Sequence, residues 1–375
     1  MTDNLALLLK GFLPSEICRK SDSSFDDVED LLSNLPKLLA TSNLGSQLKH
    51  LKIYDISDDL TNPELERLML LYSYLGHAYM WGGPETPLSI PENISIPWVS
   101  IAKKLNRPPI LSYASYALNN WETTSDDSSN LAVEDISILQ NFLGGIDEDW
   151  FIMIHIAIEY EAKFLLGSLY EFFVNDCEDE NYLGNAMDSI RNINLIMNRM
   201  PEHCDPYIYY NRVRPYIFGW KNNPATPNGV IYEGVQEYSN KPQFFRGETG
   251  AQSSIIPAVD ALLGIEHSSD PLRVYLDEMR EYMPVDHRDL LKDLDVWKDQ
   301  YSKSKRKELA SNHKEIINEI VIETRNFRHK HLDFARDYIH NQSQNADVNS
   351  NAVGTGGTPF MKYLEKHLTE TEYND

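Results

Sequence analysis

Proline placement constrains this chain more than any other feature. No proline lies between Pro109 and Pro201 or between Pro284 and Pro359, whereas residues 84–109 and 201–284 are punctuated by it. Proline removes a backbone donor and clashes with the preceding helical turn. The two proline-free stretches are therefore where long helices can lie, with irregular chain between them. Apolar residues recur at helical spacing over residues 68–79, 150–173, 186–200 and 313–339, and period-2 alternation is scarce. The pattern predicts an all-α protein.

Residues 126–130 (Asp-Asp-Ser-Ser-Asn) and 144–149 read as loops flanking a helix. They predict a boundary near residue 145 between a small N-terminal helical domain (1–145) and a larger helical domain (146–375). Residues 341–357 are rich in Asn, Ser, Gly and Gln and hold almost no large apolar side chain, which predicts a mobile loop.

Charge and composition exclude several classes. With 34 Lys and Arg against 57 Asp and Glu, the net charge is −23, which disfavours nucleic-acid and anionic-membrane partners. The most apolar long stretch, residues 150–173, carries His155, Glu159, Glu161, Lys163 and Glu171, so no membrane span is expected. Cys18, Cys177 and Cys204 are isolated, and the N-terminus shows no positively charged leader region, its apolar run breaking at Lys10, Gly11 and Pro14. A reducing, cytoplasmic setting follows as the expectation.

Ile316, Ile320, Thr324, Phe327, His331, Phe334 and Tyr338 form one helical stripe, which turns His331 inward and His329 away from it. Arg328 lies three residues before His331. An inward imidazole beside a cation suits an axial haem ligand, and it equally suits a core histidine bonded to a carbonyl. His155 shares a face with Phe151, Ile158 and Ala162, with Glu159 one turn on. It could be a metal ligand, a general base or an inert core group. None of the eleven histidines follows a Glu by three residues. His-Glu-x-x-His, Cys/His zinc spacings, the nucleophile elbow and the phosphate- and dinucleotide-binding glycine motifs are also absent.

Two glycine-rich segments can approach a small ligand closely, or can be ordinary loops: residues 245–254 and Gly354-Thr355-Gly356-Gly357-Thr358. Residues 207–220 set Arg212 and Arg214 among tyrosines and other aromatics, a setting for an aromatic carboxylate or for a structural Arg stacked in the core.

In their order, several segments resemble the indoleamine 2,3-dioxygenase family of haem enzymes, in a bacterial-type form with a distal histidine. They are Pro108-Pro109-Ile110-Leu111-Ser112-Tyr113-Ala114, Arg214-Pro215-Tyr216-Ile217-Phe218-Gly219-Trp220-Lys221, Tyr232-Glu233-Gly234 and Gln252-Ser253-Ser254. Met283-Pro284-Val285-Asp286-His287-Arg288, His331-Leu332, Tyr338-Ile339 and residues 354–358 complete the set, spanning about residues 90–365. The resemblance implies an all-helical fold of two domains with haem b in the larger one. It implies insertion of both atoms of O2 across the indole C2–C3 bond of L-tryptophan, giving N-formylkynurenine, with an external reductant to keep the iron ferrous.

By the same resemblance, His331 is the proximal ligand, supported by Asp260 and Arg328, and His155 is the distal catalytic residue. Arg214 grips the substrate carboxylate and Thr355, beside Gly356, closes over it. Tyr113, Phe151, Tyr209 and Thr249 line the pocket. The sequence departs from the family's animal members at His155, where they carry a serine, at Tyr209 for phenylalanine and at Tyr116 for cysteine. Arg246 and Glu248 also replace small residues of the glycine-rich loop. These departures bear on substrate range. The alternatives are a tailoring enzyme that monooxygenates or rearranges a tryptophan derivative, a non-catalytic haem sensor, and a helical interaction protein without haem.

Overall fold

A computed structural model describes residues 3–124, 131–175, 179–267, 271–301, 312–345, 354–357 and 360–371. The architecture is all-α. Helices α1 (Asp26–Ser33), α2 (Leu35–Ala40) and α3 (Leu44–Leu48) precede α4 (Asn62–Trp81) and α5 (Glu92–Lys104). Then follow α6 (Ile146–Phe173), α7 (Asn181–Asn198), α8 (Ile255–Leu263), α9 (Pro271–Arg280), α10 (Val285–Tyr301), α11 (Lys314–Ala335) and α12 (Phe360–Glu370). The strands are minimal: β1 (Ser89–Ile90) pairs in parallel with β4 (Ile231–Tyr232), and β2 (Trp121–Thr123) pairs antiparallel with β3 (Ile136–Ile138).

The long proline-free helices organise the rest. α6 packs along α7, and α11 packs against α7 and α12. Leu5 and Leu8 of the N-terminal 3-10 turn are buried against α6. α4 starts with a capping box, in which Thr61 and Glu64 satisfy each other's backbone donors. Among the described residues no helix is long and apolar enough to cross a membrane.

Three expectations are corrected. The proline-punctuated segments are not wholly irregular: α5 lies in one of them with Pro97 in its interior, and α8 and α9 lie in the other. Pro257 and Pro271 sit in first turns, where no intrahelical donor is needed, while the buried Ile94, Trp98 and Ile101 offset the bond lost at Pro97. The region before residue 144 is a 3-10 turn (Val133–Asp135) and β3 rather than a helix, and Ile146 to Asp149 already form the first turn of α6. Finally, the expected mobile loop is ordered at both ends. Asn341–Asn345 is helical, and residues 354–357 form a turn in which Thr355 is buried. Residues 126–130 and 346–353, Cys177 and Thr358 lie outside the described residues.

Candidate active site

α6 and α11 flank a cavity of about 500 Å³. Phe151, His155 and Ile158 of α6 line it, as do Phe327, Arg328, His331 and Phe334 of α11. α8 contributes Ile256, Asp260 and Ala261, and the chain at 248–253 and the turn at 354–356 close one side. Such a volume, mostly apolar with a few convergent polar groups, is that of a small-molecule or cofactor site.

Three short π-helical turns deliver aromatic side chains to it. Ala114–Leu118 follows Tyr113, Tyr209–Val213 begins on Tyr209, and Arg336–His340 carries Tyr338. One extra residue per turn re-aims a side chain, and such turns gather at functional sites. Phe151 packs on His155 at 4.5 Å and on Tyr209 at 4.7 Å between ring centroids, and Tyr113 meets His155 edge-on at 5.9 Å.

The two histidines differ in their bonding. His155 Nδ1 lies 2.7 Å from the Phe151 carbonyl. A carbonyl only accepts, so the neutral ring carries its proton on Nδ1 and leaves a lone pair on Nε2. Burial lowers its pKa, against the opposing pull of that bond. His331 is open to the cavity, and neither ring nitrogen makes a hydrogen bond or ion pair among the described residues. Protein surrounds it, and burial, then His155, then Arg328 push its pKa down to about 4. Its lone pair is therefore available at neutral pH. His329 points to solvent and meets Asp333 at 3.3 Å.

Beside His331, Arg328 Nη2 donates to Asp260 Oδ2 at 2.6 Å, and His267 Nε2 meets the same oxygen at 3.0 Å. Burial alone would raise the Asp260 carboxyl, but Arg328 and His267 outweigh it and hold it below its usual range. Asp260 Oδ1 is buried without a partner. His367 stacks on His267 at 4.3 Å, and these two with Glu370 bring ligand-type atoms within 4.8 Å of one another. His267 is already satisfied between Asp260 and Glu370, and Arg328 and Lys366 add positive charge there, so the trio serves as a brace.

On the α6 side, Glu159 Oε1 accepts from Tyr113 Oη at 3.0 Å and from Ser253 Oγ at 2.8 Å, while burial raises this carboxyl to about 7. Glu248 also lines the cavity, and burial alone raises it to about 8.

The turn at 354–357 is pinned. Thr355 Oγ1 donates to the Glu248 carbonyl, Gly219 N–H to the Thr355 carbonyl at 3.3 Å, and Asn222 Nδ2 to the Gly357 carbonyl at 3.0 Å. Gly219 and Gly247 allow the underlying crossing, because a Cβ on either would run into the other's backbone nitrogen.

Of the residues picked from sequence, Tyr113, Phe151, His155, Tyr209, Thr249, Asp260, Arg328, His331, Thr355 and Gly356 line this one cavity. Arg214 does not. It is fully buried behind Tyr209, its guanidinium 5.1 Å from the ring centres of both Tyr210 and Phe218. Burial lowers its pKa, which makes an anion nearby favourable. Sequence reading noted Glu248 only as a departure and missed His267 and His367, which sit in no ligand-type spacing.

A sequence model of the indoleamine 2,3-dioxygenase family matches residues 8–374. The chain belongs to that family. It is 32% identical to indoleamine 2,3-dioxygenase 1 of Rattus norvegicus over 353 residues, covering 88% of this chain and 84% of the relative. Indoleamine 2,3-dioxygenase of Saccharomyces cerevisiae is 26% identical, with 96% and 90% covered, and indoleamine 2,3-dioxygenase 2 of Homo sapiens is 26% identical, with 96% and 92% covered. As an indoleamine 2,3-dioxygenase family member the chain is an oxidoreductase.

Many of the family-like segments pack around the cavity rather than line it. His77 Nδ1 bonds the Tyr216 carbonyl and its Nε2 accepts from Leu111 N–H, while Trp220 Nε1 donates to Tyr232 Oη, which donates to the Pro109 carbonyl.

Proposed function

We propose that this chain is a haem-dependent dioxygenase that cleaves the indole C2–C3 bond of L-tryptophan, or of a related indole, to N-formylkynurenine. The observation that carries the reading is the pair of neutral imidazoles, His155 and His331, presented to one apolar cavity from two helices. The donor set fits haem b. His331, with a free lone pair, would hold the iron, and Asp260, with an unused buried oxygen, and Arg328 would brace that residue's side of the cavity. Haem, kept ferrous by an external reductant, supplies the activation of O2.

The remaining work falls to side chains. His155 Nε2 accepts the indole N–H and fixes the ring's orientation, with Tyr113, Phe151 and Tyr209 as walls. Arg214, whose charge reaches the Tyr209 hydroxyl, draws the carboxylate end of the substrate to that side. Thr355 and Gly356, tied to Glu248 and Arg246, exclude water beside Thr249. The chain works in the cytoplasm as a catalyst of two lobes, 1–145 and 146–375.

Reduced haem-loaded protein given L-tryptophan and 18O2 tests this. The expected product is heavier by both labelled atoms and absorbs as a formylkynurenine. A product with one labelled atom assigns the chain to monooxygenation instead, and no consumption of any indole contradicts catalysis.

A further inference from the structure

Glu248 is 3% exposed and lines the cavity, yet its carboxyl makes no hydrogen bond or ion pair among the described residues. A buried carboxyl without a partner costs several kcal/mol when ionised and is retained where something else supplies the counter-charge. Its backbone is fixed from both sides: its N–H donates to the Ile217 carbonyl at 3.1 Å and its carbonyl accepts from Thr355. The position is thus imposed by the fold.

The surroundings say where a counter-charge would lie. Glu248 lies near enough that its ionised form raises the hydroxyls of Tyr113, Tyr116 and Tyr209, whose rings surround His155 and Phe151. Arg246, the nearest cation in sequence, is committed to Glu278 at 2.7 Å. Of the other cations that line the cavity, Arg328 is committed to Asp260 and Arg280 to Asp295, both at 2.6 Å, so the counter-charge for Glu248 is left to a ligand.

We propose that Glu248 is a specificity-determining residue that receives the protonated amine of the indole substrate. The inference rests on the dioxygenase reading and extends it: the charged side chain on the side of Tyr113 and Tyr209 that has no partner among the described residues is an acid, so the pocket selects for an amine. A zwitterion lying along Tyr209 then has its ammonium toward Glu248 and its carboxylate toward the side of Arg214. Burial favours the protonated Glu248 in the empty pocket, and an arriving ammonium supplies the counter-charge with which that carboxyl gives up its proton to solvent and pairs, a contact worth most in a dry site.

The test is calorimetric titration of haem-loaded wild type and Glu248→Gln with L-tryptophan, tryptamine and indole-3-propionate. The substitution keeps the shape and removes the charge. We expect Kd for the two amines to rise at least tenfold and that for indole-3-propionate to change less than twofold. Equal weakening of all three, or of none, overturns the assignment while leaving the dioxygenase reading standing. A wild type that binds none of the three overturns both. Should Glu248→Gln fail to take up haem, wild type is titrated with tryptamine against 3-ethylindole, its amine-free counterpart. A tenfold preference for the amine is expected, and indifference contradicts the proposal.

Discussion

His155 and Glu159 leave α6 one turn apart, and the same physical cause shifts both toward their neutral forms. Burial favours the uncharged form of each, which means losing a proton for the imidazole and keeping one for the carboxyl. His155 thereby offers an acceptor on the cavity wall, and Glu159 becomes a strut that ties Tyr113 to Ser253. A neutral imidazole orients an indole N–H by accepting from it. His155→Ala should therefore retain haem but slow L-tryptophan turnover at least tenfold, while 1-methyltryptophan, which lacks that N–H, is affected far less. Equal losses for both substrates in steady-state assays would make His155 a packing residue. Helical periodicity turns His331 inward, and His155 less cleanly with Glu159 one turn on, while their roles were legible only through the family resemblance. Glu248 was not, because nothing in a sequence reveals that a charged residue in a glycine-rich loop will lack a partner.

Elements explain why the site is rigid. The stretches at 217–221 and 245–249 cross so closely that only glycine fits at 219 and 247, and the turn at 354–357 is bonded across both. Gly247→Ala puts a methyl group against the Gly219 nitrogen and the Ile217 carbonyl, neither of which is a flexible side-chain end. The expected cost is about 1–3 kcal/mol in denaturant unfolding, in the range of overpacked sites. Gly250→Ala, with nothing within 4 Å of the added methyl, should be neutral within about 0.5 kcal/mol. Matching losses for the two would remove the crossing as the explanation. The long helices were readable from apolar spacing and missing prolines. The π-turns were not, since they arise from tertiary demand rather than local propensity, and neither was α5, which tolerates Pro97 because its buried face offsets the lost bond.

At the scale of the molecule, two helices far apart in sequence, α6 and α11, meet through α7 and leave a cavity where their histidine-bearing faces would otherwise touch. The stripe through His331 was readable as an inward face, but periodicity cannot tell a face that packs from one that borders a hollow. Arg214 shows the same limit from the other side: its motif is present, yet the fold buries it behind Tyr209. The central claim, that this cavity holds haem through His331, is tested most directly by titrating haem into wild type and His331→Ala while recording the Soret band. Wild type should bind one haem per chain with a sharp Soret band, and His331→Ala should lose that band while keeping wild-type helical content by circular dichroism. An unaltered Soret band in folded His331→Ala would contradict the account.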